Sequence, residues 1–91
     1  MEKKAKTNLK KLEQICREIG YTVRYEKGNF TPGTCVLHGK RVIVVNKLFT
    51  PEGKVACLSD LISGFLADEN LTLNEESFEI FHEIKSASET D

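Results

Sequence analysis

At 91 residues, 40 % apolar and 30 % charged, the chain can build one hydrophobic core but not two, and its composition is globular, not disordered. Its longest unbroken apolar run, Val42 to Val45, is far short of the roughly 20 residues that span a bilayer. A net charge of −1 hides an asymmetry: residues 1–54 carry twelve basic and five acidic side chains, residues 55–91 one basic and nine acidic, so the halves are +7 and −8.

The basic N-terminus has no apolar segment behind it, as a secretory signal requires, so a cytoplasmic location is expected. From about Lys6 to Ile19, Leu9, Leu12, Ile15, Cys16 and Ile19 recur at steps of three and four and predict one buried stripe of a helix, which Gly20 stops. Lys3, Lys4, Lys6, Lys10 and Lys11 lie off that stripe, on a face read as solvated. Tyr21 to Tyr25 alternates and predicts a strand with Tyr21, Val23 and Tyr25 on one face. Glu26 to Gly33 is turn-forming except for Phe30, which either folds back on the core or is offered to a partner.

A hairpin follows. Gly39-Lys40 suits a two-residue type II′ turn, which pairs His38 with Arg41, Leu37 with Val42, Val36 with Ile43 and Cys35 with Val44. One face then carries Cys35, Leu37, Val42 and Val44; the other carries Thr34, Val36, His38, Arg41, Ile43 and Val45. Both faces are apolar in the middle, so Val36, Ile43 and Val45 need a cover, from a helix of the same chain or from a second subunit.

Thr50, Pro51 and Glu52 are an N-cap, a first-turn proline and a dipole-complementing acid, and they predict a helix from Pro51 to about Leu66 with Val55, Leu58, Leu61, Ile62 and Phe65 inward. Gly64 within it is read as room for another backbone. A third helix is predicted from near Leu73, capped by Thr72 with Glu75 or by Asn74, with Phe78, Ile80, Phe81 and Ile84 on its apolar side. Residues 1–5 and 86–91 are expected to be frayed or disordered ends. The order α-β-β-β-α-α predicts a single α+β domain over residues 1–91, an antiparallel three-stranded sheet with packed helices.

Chemistry-bearing residues are few and scattered. Cys16, Cys35 and Cys57 are odd in number, widely spaced and contain no Cys-x-x-Cys pair, so they read as small hydrophobes in a reducing cytosol and not as a disulfide framework or zinc knuckle. Cys35 and His38 have the composition of a thiolate–imidazole pair, but an odd separation along a strand puts them on opposite faces. His82 on an acidic helix flank reads as solvated. Glu75, Glu76, Glu79 and Glu83 form that helix's exposed face. No glycine-rich run has phosphate-binding spacing. The expectation is therefore no catalytic residue, no metal and no cofactor.

The run Arg41-Val-Ile-Val-Val-Asn46, then Lys47-Leu-Phe-Thr-Pro-Glu52 and an apolar helix, resembles the front of the zinc peptidase-like family named ImmA/IrrE. There a hairpin strand ending in Asn leads to a Ser/Thr-Pro-Glu cap and the active-site helix. The preceding helix ending in Gly20 and the strand Tyr21 to Tyr25 fit the same order, so the resemblance covers Leu9 to Phe65. It implies that fold, and it departs where the family's chemistry lies. Where His-Glu-x-x-His would supply two zinc ligands and a base, this chain has Asp60-Leu-Ile-Ser-Gly64. The resemblance thus implies a metallopeptidase-like domain without its catalytic site. From its short length and plain composition the chain is also expected to belong to a family of small bacterial proteins.

Three functional readings follow. The first is a non-enzymatic protein-interaction module, self-associating as a homo-oligomer or homodimer or meeting a protein partner, with Val36, Ile43, Val45 and Phe30 as the interaction face; the +7 and −8 halves attract within the fold or across the dimer. The second is a nucleic-acid-associated module using Lys3, Lys4, Lys6, Lys10, Lys11, Arg24, Lys27, Lys40 and Arg41. It ranks behind the first because net charge is near zero and no nucleic-acid-binding motif is present. The third is the metallopeptidase-like domain that has lost its site. No membrane partner is expected.

Overall fold

The structure, a computed structural model, describes residues 2–28 and 33–89; Phe30 lies outside them. The elements run α1 (Glu2–Glu18), β1 (Tyr21–Glu26), β2 (Gly33–Leu37), β3 (Lys40–Asn46), α2 (Pro51–Asp68) and α3 (Glu75–Glu89). This is the α+β order that the periodicities predict.

The sheet is mixed, which corrects the expected antiparallel one. Its strand order is β1-β3-β2, with β1 parallel and β2 antiparallel to β3. The physical reason lies in β3, whose Val42–Val45 run is apolar on both faces and belongs between two neighbours, where both faces and both edges are protected. The chain leaving β1 meets the end of β3 at Gly28. Asn46, buried there, donates from Nδ2 to the Gly28 carbonyl at 2.6 Å and accepts from the Leu48 amide through Oδ1 at 3.0 Å.

The hairpin turn is also displaced from its predicted place. His38 and Gly39 are the central residues, with φ of 52° and 78°, which is a type I′ turn; its twist matches that of the strands, and Gly occupies the second position. The pairs are Leu37 with Lys40, Val36 with Arg41, Cys35 with Val42 and Thr34 with Ile43. Each strand has moved by one residue relative to the predicted register. Two such shifts cancel in side-chain parity, so the division of Thr34 to Leu37 and Arg41 to Val45 between the two faces is as predicted, while His38 belongs to the turn.

Tyr21, Val23 and Tyr25 share the face of Ile43 and Val45, as the alternation predicts. α1 lies on β1, α2 lies on β3, and α3 packs across α1 and α2. Leu12, Cys16, Ile43, Val45, Leu58 and Ile62 are fully buried at the centre, with Phe81 and Ile84 closing the core from α3. Ile43 and Val45 thus need no second subunit, because the chain's own helices cover them.

Thr50 caps α2 by accepting from the Gly53 amide at 3.0 Å, with Pro51 in the first turn. Of the two candidate caps for α3, Asn74 is used: its Oδ1 accepts from the Ser77 amide at 2.8 Å. The helices reach further than the spacing predicts. α1 starts at Glu2 and buries Ala5, and α3 continues to Glu89. Gly64 faces open space, and an added Cβ meets nothing within 4 Å, so no close backbone approach explains it.

Candidate functional site

The two outer strands of the sheet differ in what holds them. On β1, Tyr21 donates its hydroxyl to Glu69 at the C-cap of α2 and stacks on Phe65, with ring centroids 4.4 Å apart and planes 1° from parallel. Arg41 bonds the other Glu69 oxygen at 2.5 Å, and its guanidinium lies 5.5 Å from the Tyr21 ring centroid. A carboxylate at a helix C-terminus opposes the helix dipole; here the cation and the hydroxyl offset that. At the other end of β1, Tyr25 donates to Glu13 of α1, and the Lys54 ammonium sits 5.1 Å over its ring.

Tyr21, Tyr25 and Glu69 are held in their ordinary neutral-pH forms. Burial, then the hydrogen bond to Glu69, raises the Tyr21 pKa; the bond from Tyr21, then Arg41, holds the Glu69 carboxyl below its usual value. Tyr25 is raised by burial and by its bond to Glu13. None of them is poised for proton transfer near neutrality. The Cys16 thiol, buried beside Glu13, is pushed up to about 12, with burial the larger cause, and Cys57 is raised by burial and then by Asp60. Both are poor nucleophiles. A further polar node joins helix ends: Glu18, the last residue of α1, accepts from the Asn74 amide at 2.9 Å, the Asn74 side chain at 3.0 Å and the Ser77 hydroxyl at 2.6 Å. Its charge, unfavourable at the end of α1, is favourable at the start of α3.

β2 has none of these ties. It lies at the sheet edge beyond the helical layer, and Thr34, Cys35, Val36 and Leu37 are all exposed, Val36 by 68 % and Leu37 by 41 %. The strand has no charged residue. Unpaired edges ordinarily carry Lys, Pro or a cover that prevents strand addition; Gly33–Leu37 contains neither Lys nor Pro, and no described residue covers it.

The predicted interaction residues are therefore dispersed. Val36 is exposed on the edge strand, Ile43 and Val45 are in the core, and Phe30 lies outside the described residues. Cys35 and Leu37 are exposed on the same edge strand as Val36, a placement that depends on strand order. Cys35 and His38 share no hydrogen bond, and His82 is exposed and stacked on Phe78, itself 56 % exposed instead of facing the core. Among the described residues no three of His, Cys, Asp and Glu are placed to hold a metal, and no helix is long and apolar enough to cross a membrane.

Lys4, Lys6, Lys10, Lys11 and Arg17 are exposed on α1, while further along the basic half Arg24 pairs with Glu26 and Arg41 with Glu69. Between α1 and α3 a crevice of about 60 Å³ runs past Lys11, Glu83 and Ile84, room for a water or two and no more. No protein-family model, no curated protein and no solved structure matches the chain.

Proposed function

We propose that the protein is a cytoplasmic, non-enzymatic protein-interaction module that self-associates, and that the uncovered edge strand β2 is its contact surface. The observation that carries this reading is the contrast between a sheet edge exposed along Thr34–Leu37, with apolar Val36 and Leu37 in water, and polar groups elsewhere that are engaged in holding the fold. Strand addition at such an edge draws affinity from main-chain hydrogen bonds and specificity from alternate side chains. Sedimentation velocity over a micromolar concentration series is the test. The expected result is a species of twice the chain mass whose fraction rises with concentration, and a monomer throughout that range overturns the reading.

A second reading is supported by the basic face of α1, where Lys6, Lys10, Lys11 and Arg17 are exposed and have no ion pair among the described residues. As a nucleic-acid contact it predicts binding to duplex DNA or RNA that weakens steeply with salt, by counterion release. Fluorescence anisotropy with labelled duplexes at two salt concentrations decides it, and absence of binding at low salt removes it.

A further inference from the structure

We infer that the occupant of the β2 edge is the same strand of a second copy, paired antiparallel about a two-fold axis at Cys35, so that two three-stranded sheets become one sheet of six. This rests on the self-association reading and adds its geometry. In a two-residue hairpin the residues flanking the turn exchange both hydrogen bonds, so Leu37, and with it Cys35 and Gly33, direct their N–H and C=O groups toward β3. Thr34 and Val36 direct theirs outward. The free edge therefore offers two donors and two acceptors, on residues two apart.

An identical strand running the other way satisfies all of them in one register. With the axis at Cys35, Thr34 faces the partner's Val36 and Val36 faces the partner's Thr34; each of these pairs exchanges two hydrogen bonds, and no outward group of Thr34 or Val36 is left over. Placing the axis at Thr34 or Val36 satisfies only one residue's groups on each strand. β2 carries no charge, so two copies meet without repulsion, and the two-fold closes the assembly at a dimer. The axis is perpendicular to the sheet, which leaves the helices of both copies on the same face. Val36 then sits diagonal to the partner's Val36 on the helix side. Cys35 faces the partner's Cys35 on the face away from the helices as a non-hydrogen-bonded pair, whose Cα atoms lie about 4.5 Å apart. That spacing is within disulfide reach.

The test combines sedimentation of the full chain with mild oxidation by diamide, to which two thiols pass two electrons and two protons as the disulfide forms. The expected result is a reducible covalent dimer linked through Cys35, located by mass spectrometry, and a non-covalent dimer that persists in Cys35→Ser. Val36→Lys, which sets two ammonium groups diagonally across the junction, should weaken the dimer at least tenfold with an unchanged circular dichroism spectrum; if its spectrum changes, Thr34→Lys is read in its place. A dimer that does not cross-link at Cys35, or that is indifferent to the lysine, overturns the two-fold junction and leaves self-association standing. A monomeric wild type overturns both.

Discussion

The two edges of one small sheet have opposite fates. β1 is tied to the helical layer by Tyr21 to Glu69 and Phe65 and by Tyr25 to Glu13. β2, equally distant from the centre of the sheet, projects past the helices with Thr34–Leu37 exposed. Two helices cover about two strands, so a third strand beside them remains uncovered unless something else arrives. A fold can thus be complete in its core and incomplete at an edge.

The largest effect that probes this contrast is in the core strand between the edges. Ile43→Ala should cost about 2–5 kcal/mol by urea unfolding, as a fully buried isoleucine truncated to a cavity. Val36→Ala, on the exposed edge, should stay within about 0.5 kcal/mol at a protein concentration low enough to hold the chain monomeric. Equal losses at the two sites would break the comparison. Next in size, Tyr25→Phe should cost about 1–2 kcal/mol, because it removes the hydroxyl that ties β1 to Glu13; a neutral result would mean that β1 is held by packing alone.

Smaller changes sharpen it. Gly64→Ala on α2 should stabilise by about 1 kcal/mol, since the added methyl meets open space and the helix gains propensity. His38→Asn should add ~0.5 kcal/mol to the β2–β3 hairpin by easing a positive φ, leaving β1 unaffected. The smallest effect is electrostatic, because Arg41 and Glu69 are partly solvated. Glu69 titrates lower in the folded protein than unfolded, so its contribution is present above the ordinary glutamate value near 4.3 and is lost as pH falls through the folded value. Tyr21 titrates higher, so its contribution is present below the ordinary tyrosine value near 10 and is lost as pH rises through the folded value. Glu69→Gln should flatten the acid limb of the stability profile and leave β2 unchanged.

Much of the architecture was legible. The 3.6-residue stripe ending at Gly20, the alternation from Tyr21 to Tyr25, and the Thr50-Pro51 cap are local signals and appear where they are expected. The turn was misplaced by one residue because Gly39 fits the first position of a II′ turn as readily as the second of a I′ turn, and only strand twist distinguishes them. Phe78 falls one step off the buried stripe that Phe81 and Ile84 define. The ties of Tyr21 to Glu69 and of Glu18 to Asn74, across 48 and 56 residues, have no periodicity that could reveal them.

The sequence by itself determined the elements, their order and which side of each strand is apolar, because hydrogen bonding along a helix and alternation along a strand are repeated every few residues. Tertiary structure alone decided that β3 lies between β1 and β2, that Ile43 and Val45 are covered from within, and that Val36 remains in water. Strand order depends on which neighbours bury the most apolar surface, a property of the assembled layers that no window of sequence contains.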